Sequence, residues 1–162
     1  MRYLYFAALV LALLASCKSK PPATTSKPPA PKEAYTLSNL EADIVSEVNR
    51  YRKSKGLPAL ESSSVVATEA AVHSQRMASR QAPFGHDGFE ERSARISKRL
   101  DGTRASAENV AVGKMSARNL VQSWLKSPAH KKNIEGRYTL TGVGISRDPT
   151  GTVYYTQIFV LK

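Results

Sequence analysis

Four side chains of this sequence could take part in chemistry together: His73, His86, Glu108 and His130. Two neutral imidazoles and one carboxylate are a plausible set of zinc ligands, with water completing a tetrahedral site. His86, Glu108 and His130 are therefore candidate metal ligands, and zinc is the candidate cofactor. Each of these three residues is 22 positions from the next, a spacing that matches no local metal-binding motif. Only the tertiary fold could bring them together.

The local sequence around His86 and Glu108 favours a binding site. His86 lies in a glycine-flanked loop, and Glu108 opens a short apolar segment in which Asn109 follows it. Both are places where the backbone can approach a ligand closely, so Asn109 joins the candidate cavity residues. From spacing alone, the alternative that these histidines are separate surface or capping residues stays open.

His73 has a different setting, because it lies on the apolar stripe of a predicted helix between Ala70 and Met77. A histidine in such a position is usually a core residue that donates one ring nitrogen to a backbone carbonyl. We expect this role for His73 and keep it as a secondary candidate for the cavity lining.

Apolar residues recur at helical spacing in four segments. The pattern predicts helices over Leu37–Lys55, from Ser62–Ser64 to near Gln81, over Phe89–Leu100, and from Ser116 to Pro128. In the third helix we expect the apolar residues to point inward and four basic residues to point outward: Arg92, Arg95, Lys98 and Arg99.

The C-terminal part changes to β-branched and aromatic residues. Tyr138–Arg147 and Thr152–Leu161 predict two strands, and the turn signal Asp148-Pro149-Thr150-Gly151 lies between them. The second strand is apolar on both faces, so both faces need a covering layer. The predicted fold class is α+β: a three-layer α-β-α sandwich with a C-terminal antiparallel β-hairpin.

The order of these motifs resembles the CAP superfamily in its bacterial branch. This family comprises the cysteine-rich secretory proteins, antigen 5 and the plant pathogenesis-related proteins, and its domain is also called SCP. The similarity runs from about Leu40 to Phe159. It is carried by these stretches: Val48–Arg52, Gly56–Leu60, Ala70–Ala78, Phe84–His86, Ala107–Ala111, Trp124–His130, Asn133-Ile134, Gly142–Gly144 and Tyr155–Phe159.

The resemblance implies an α-β-α sandwich whose central cavity is lined, in many members, by two histidines and two glutamates. His86, Glu108 and His130 fall on three of these positions. The fourth, a glutamate just after the tryptophan of the fourth helix, is replaced here by Ser127 or its neighbour Lys126. This departure removes one carboxylate from any two-carboxylate acid–base mechanism.

The resemblance also implies a function class. CAP proteins bind sterols, fatty acids, glycans or other proteins more often than they catalyse reactions, so we expect a binding module for a ligand of the cell envelope or host. The alternative is a zinc-dependent hydrolase that uses the same cavity. The sequence offers no serine elbow and no spare cysteine nucleophile, and no residue is assigned a catalytic role.

The N-terminus predicts a bacterial lipoprotein signal. Arg2 precedes an apolar run over residues 3–15, which is shorter than the roughly 20 residues of a membrane-spanning helix. The run ends in Leu14-Ala15-Ser16-Cys17, and cleavage before Cys17 would leave a thiol for a diacylglyceryl anchor. A plain secretory peptide with an incidental cysteine is the alternative.

These features divide the chain into three parts. Residues 1–16 are the predicted signal peptide, 17–34 are the lipidated Cys17 and a Pro- and Lys-rich tether, and 35–162 are a single CAP/SCP domain. Extended as polyproline II, the tether would reach roughly 50 Å. Because Cys17 is the only cysteine of the chain, we expect the domain to be stable without disulfides.

The charge of the chain points to anionic partners. Without Arg2, the four tether lysines and Glu33, 19 basic residues face 12 acidic ones, a net charge of +7. Such a domain is attracted to anionic envelope lipids or glycans, and Lys131 and Lys132 next to His130 are placed to draw an anionic ligand. Nucleic acid is not expected, because the basic residues are spread over several helices without interleaved aromatic residues. We expect an extracytoplasmic monomer, lipid-anchored to the cell membrane or outer membrane.

Overall fold

The computed structural model describes residues 36–162, without the side chain of Ser38. The described residues belong to one compact unit. The predicted signal peptide, the predicted lipidation of Cys17 and the predicted tether all lie outside the described residues. No helix within residues 36–162 is long and apolar enough to cross a bilayer.

The described residues form five helices. They are α1 (Leu37–Ser54), α2 (Ser64–Ala78), α3 (Phe89–Arg99), α4 (Ala117–Lys126) and α5 (Pro128–Glu135). The hydroxyl oxygens of Thr36, Ser63 and Ser116 cap α1, α2 and α4 by accepting from the backbone N–H three residues on. The four predicted helices are therefore present, and α5 is a helix that the sequence analysis did not predict.

Within residues 36–162 there are four strands: β1 (Glu61–Ser62), β2 (Ala105–Val112), β3 (Leu140–Arg147) and β4 (Val153–Leu161). They form one sheet in the order β1-β3-β4-β2. β3 and β4 form the predicted antiparallel hairpin. In its turn, Asp148 Oδ1 accepts from the backbone N–H groups of Thr150 at 2.9 Å and Thr152 at 2.8 Å. β2 is antiparallel to β4, while β1 is parallel to β3.

Helices cover both faces of the sheet, as the two apolar faces of β4 predict. On one face, a core cluster joins α1, α4 and α5 to Val153, Tyr155 and Phe159 of β4. On the other face, α2 and α3 pack against Ile158 and Val160 of the same strand. The alternation of β4 therefore fixes the three-layer α-β-α sandwich.

Two glycines of β3 set the distance between the sheet and α2. A Cβ on Gly142 would lie 2.2 Å from the backbone nitrogen of Ala67, and one on Gly144 would lie 2.0 Å from that of Ala71. Neither distance is possible for a real Cβ, so only glycine allows α2 to lie this close to the strand.

The structure differs from the sequence prediction at α2, β2 and β1. α2 ends at Ala78 rather than near Gln81, because Arg80 is left-handed (φ 60°) and the N–H groups of Gln81 and Ala82 both donate to the carbonyl of Arg76. The segment that Glu108 was expected to open is an eight-residue strand, β2, that begins at Ala105. The two-residue strand β1 was not predicted at all, since a strand this short has no periodicity of its own.

Candidate functional site

The centre of the site is Glu108, whose side chain is buried on the face of the sheet that α2 and α3 cover. It lies on β2 opposite Ile158 of β4. Two guanidinium nitrogens of Arg92, on α3, bind both oxygens of the carboxylate, an arrangement called a fork. Nε donates to Oε2 at 3.1 Å, and Nη2 donates to Oε1 at 2.9 Å and to Oε2 at 2.8 Å. Both partners are almost fully buried, so the negative charge of Glu108 is compensated by a guanidinium that water does not reach.

Arg92 points inward, so the prediction that it points outward was wrong. Arg92 is 2% exposed, and its Nη1 also donates to the carbonyl of Asp87 at 2.7 Å. The spacing could have revealed this, because Arg92 lies three residues after Phe89 and four before the buried Ile96. It shares their helical face, and a basic residue on an apolar face needs a buried partner.

His86 approaches the same carboxylate from the loop between α2 and α3. Its Nδ1 lies 2.9 Å from Glu108 Oε1, and half of its side chain is exposed. A carboxylate accepts here, so Nδ1 carries a hydrogen and, in the neutral imidazole, Nε2 has the lone pair. Nε2 makes no hydrogen bond to any described residue, which leaves it free to meet a ligand.

His73 lies behind this pair in the core. Its Nε2 lies 2.8 Å from the carbonyl oxygen of Gly85 and 4.0 Å from Glu108 Oε1. This bond holds the loop that carries His86, as expected for a core histidine that donates to a backbone carbonyl. Nδ1 is buried without a partner among the described residues. Burial lowers the pKa of His73, more than its bond to Gly85 raises it.

His130 completes the cluster from the first turn of α5. Its carbonyl accepts from Asn109 Nδ2 at 3.2 Å, and its ring lies against that of buried Trp124, with the centroids 6.5 Å apart. Burial lowers the pKa of His130, and the nearby His86 lowers it further. Its ring nitrogens have no partner in the described part of the chain, so they too can meet a ligand.

Asn133 ties α5 to the strand that carries Glu108, and sequence analysis did not single it out as a site residue. Its Nδ2 donates to the carbonyl of Glu108 at 3.1 Å and to Asn109 Oδ1 at 2.9 Å. Asn133 lies three residues after His130 on α5, so a helix at this point would have placed both on one face. The structure therefore brings all five candidate residues together, and Arg92 and Asn133 position them.

The residues present do not fit the expected zinc site. Among residues 36–162, no group of three or more His, Cys, Asp or Glu side chains is arranged to hold a metal ion. Both oxygens of Glu108 already accept from Arg92, and a permanently charged guanidinium beside a candidate ligand repels a cation. The contacts that the structure shows here form a hydrogen-bonded Arg92–Glu108–His86 network.

The sequence of residues 45–159 matches the family model of the cysteine-rich secretory protein family, CAP. This match covers more than two thirds of the chain. The chain belongs to the CAP family.

Bacterial proteins are among the relatives of this CAP chain. YkwD of Bacillus subtilis, whose function is uncharacterised, is 29% identical over 151 residues, which are 89% of this chain and 56% of YkwD. An extracellular protein of Bacillus anthracis that contains an SCP domain has a solved structure with a TM-score of 0.65 and 28% identity. That similarity covers 77% of this chain and 41% of the other, so this chain spans only about half of the length of these relatives.

Another solved structure shows the same fold at greater distance. An outer surface protein of Borrelia burgdorferi has a TM-score of 0.62 and 20% identity, and the similarity covers 74% of this chain and 90% of that one. The three-layer fold expected from the sequence is thus confirmed by the solved structures as well as by the strand order.

The glutamate that the resemblance implies just after Trp124 is absent from this chain. Ser127, one of the two residues at the missing glutamate position, ends α4 and precedes Pro128 at the start of α5. The other, Lys126, is exposed. Neither residue supplies a second carboxylate to the network around Glu108.

Proposed function

We propose that this chain is an extracytoplasmic, lipid-anchored CAP protein that binds a lipid-like or glycan ligand of the cell envelope at the cluster of His86, Glu108 and His130. The observation that carries the proposal is the fork of Arg92 on Glu108. It occupies the carboxylate that a metal or a general-base mechanism would need.

The two accessible imidazoles support recognition by hydrogen bonding. Glu108 fixes the ring of His86 with Nε2 as an acceptor, and the ring of His130 lies nearby with its nitrogens unpartnered by described residues. A ligand hydroxyl or protonated head group could donate to both rings. The alternative, a zinc-dependent hydrolase, lacks its carboxylate ligand here, and no nucleophile is hydrogen-bonded to either histidine among the described residues.

Charge supports an anionic envelope partner. The net charge of +7 predicted for residues 35–162 attracts anionic surfaces over about a Debye length. Lys132 is exposed beside His130, and Lys131 makes only a 3.9 Å contact with Glu135 on the same helix.

The extracytoplasmic location is supported by the N-terminal sequence and by the relatives. The apolar run that ends at Cys17 has the pattern of a lipoprotein signal. The Bacillus anthracis relative is described as extracellular and the Borrelia protein as an outer surface protein. A tether over residues 17–34 would then hold the domain away from the membrane that anchors it.

The experiment compares residues 33–162 with the His86→Ala, His130→Ala double variant. The probes are phosphatidylglycerol vesicles and purified envelope glycan, with phosphatidylcholine vesicles as the uncharged reference, in a sedimentation assay at physiological salt. We expect the wild-type fragment to bind one of the anionic probes and the double variant to bind it at least about tenfold more weakly.

A matched control separates the site from general charge. Lys53 and Lys55 are exposed at the end of α1, so Lys53→Gln, Lys55→Gln removes two charges without touching the cluster. Equal loss of binding in this control and in the histidine variant would contradict the proposal, as would no binding of the wild-type fragment to either anionic probe.

A further inference from the structure

A cleft lies at the C-terminal end of α5, the helix whose first turn carries His130. It is a cleft of about 720 Å³, a volume in the range that holds a drug-sized molecule. The loop before β1, the segment after α5 and the end of β4 form its walls. The apolar residues on these walls are Leu57, Pro58, Ala59, Tyr138 and Leu161.

Arg52 lies against this cleft with no counter-ion among the described residues. It is 1% exposed, and its donors go to three backbone carbonyls: Nε to Pro58 at 2.8 Å, and Nη1 to Ile134 at 2.7 Å and Gly136 at 2.9 Å. No described carboxylate lies within ion-pair distance of Arg52, and its Nη2 makes no hydrogen bond to a described residue.

A buried guanidinium without a carboxylate is unusual. Charged side chains are almost never fully buried unless they are paired, because desolvation of the charge is costly. Burial lowers the pKa of Arg52, yet an arginine stays protonated in proteins. The three carbonyls explain how Arg52 fixes the surrounding loops, but they do not neutralise its charge.

The rim of the cleft adds to the positive charge that Arg52 contributes. Arg137 lines the cleft, is exposed, and makes no ion pair with a described residue, while Glu61 supplies one carboxylate. Two guanidinium groups against one carboxylate leave the lining with a net charge of +1. An apolar wall with an excess positive charge at its base complements a molecule with one anionic end and one apolar end.

We propose that this cleft binds a small organic monocarboxylate with a compact apolar body, whose carboxylate reaches Nη2 of Arg52 and whose body packs against Leu57, Tyr138 and Leu161. The site is independent of the proposed function, because it shares no residue with the cluster around Glu108. Its neutralising contact is supplied by a ligand rather than by a side chain of the protein.

The test uses 4-phenylbutyrate as the probe and 4-phenylbutan-1-ol as its uncharged match, titrated into residues 33–162 and followed by NMR. We expect the carboxylate to bind at one site and to shift the resonances of Ala59 and Leu161. The alcohol should bind at least about tenfold more weakly, since a charge-assisted bond to the guanidinium is lost. Equal affinity for the two probes would overturn the proposal.

Substitutions then locate the site without disturbing Arg52, whose removal could prevent folding. Ala59→Trp fills the cleft from an exposed position and should abolish binding, whereas Ala59→Ser should leave it within about twofold. Arg137→Gln should weaken binding of the carboxylate but not of the alcohol. His86→Ala should have no effect, and binding that responds to His86→Ala rather than to Ala59→Trp would place the carboxylate elsewhere and refute the proposal.

Discussion

At the scale of single residues, the molecule depends on how Glu108 is neutralised. A carboxylate that is 6% exposed would be costly to bury alone, and Arg92 and His86 supply its hydrogen bonds. The same contacts determine what the carboxylate of Glu108 can bind. A carboxylate that accepts from a guanidinium fork orients the neighbouring imidazole and is a poor ligand for a cation.

Loss of Arg92 should therefore destabilise the fold. Arg92→Met leaves Glu108 buried without its cation, and breaking a buried pair in this way costs about 3–5 kcal/mol. Urea unfolding of residues 33–162 measures this loss. Arg95→Met is the matched control on the same helix, because Arg95 pairs with Glu69 from a half-exposed position and should cost at most about 1 kcal/mol. Similar costs for the two variants would show that the fork on Glu108 is not a buried pair.

The buried histidines predict a pH dependence. Burial lowers the pKa of both His73 and His130 in the folded state. Below the ordinary histidine value of about 6.5, the unfolded chain then binds more protons than the folded one, so stability is lost as the pH falls through this window. Unfolding curves at pH 7.5 and pH 5.5 and NMR titration of the two rings test this. A folded midpoint at or above about 6.5 for either ring would contradict it.

At the scale of elements, the contact between α2 and β3 decides whether the site forms. α2 carries His73, and His73 holds the His86 loop through Gly85, so the position of α2 on the sheet sets the position of His86. Gly142 and Gly144 permit that position because backbone meets backbone there. A displacement of α2 from the sheet would therefore move His73 and, with it, the loop that carries His86.

Gly144→Ala should therefore be among the most costly single-methyl additions. The new Cβ would meet the backbone of α2 at 2.0 Å, which no side-chain rotation can relieve, and overpacking of this kind costs about 3 kcal/mol. Gly56→Ala is the control: it adds the same methyl in open space, and its left-handed backbone (φ 71°) costs roughly 1 kcal/mol. Thermal unfolding compares the two, and an equal loss in both would show that α2 can move away at little cost.

The elements around the site were only partly predictable. The four long helices and the hairpin have periodic patterns and clear caps, so they follow from local sequence. β2 has polar residues at one end, so its local pattern did not identify it as a strand. α5 is two turns long and begins at Pro128 directly after α4, so its local pattern did not identify it as a separate helix. These two elements carry Glu108, Asn109 and His130, which is why the site was less predictable than the fold.

At the scale of the whole molecule, we propose that the tether of residues 17–34 joins a folded domain to a lipid anchor on Cys17. The folded unit has its core on both faces of one sheet and contains no cysteine, since the only one is Cys17. Its stability is thus independent of redox conditions, which is compatible with the proposed extracytoplasmic location.

The anchor is tested on the full chain expressed in a bacterium. We expect the wild-type chain to fractionate with membranes and to incorporate labelled palmitate, because a diacylglyceryl group on Cys17 supplies an acyl anchor. Cys17→Ser should lose the label and the mature form, while Ser16→Ala keeps a small residue before the cysteine and should retain both. Label that persists in Cys17→Ser would contradict lipidation at this residue.

Sequence alone determined the fold class and the family of this protein, because helix periodicity, the doubly apolar strand and the turn at Asp148–Gly151 are local properties that tertiary contacts did not override. It also identified the histidines and Glu108 as candidates, from their types and settings. The tertiary structure decided what they can do. The fork of Arg92 on Glu108 joins residues 16 positions apart through α3 and β2, and so places the candidate carboxylate in a hydrogen-bonded network. The uncompensated charge of Arg52 became evident only once its neighbours in space were known.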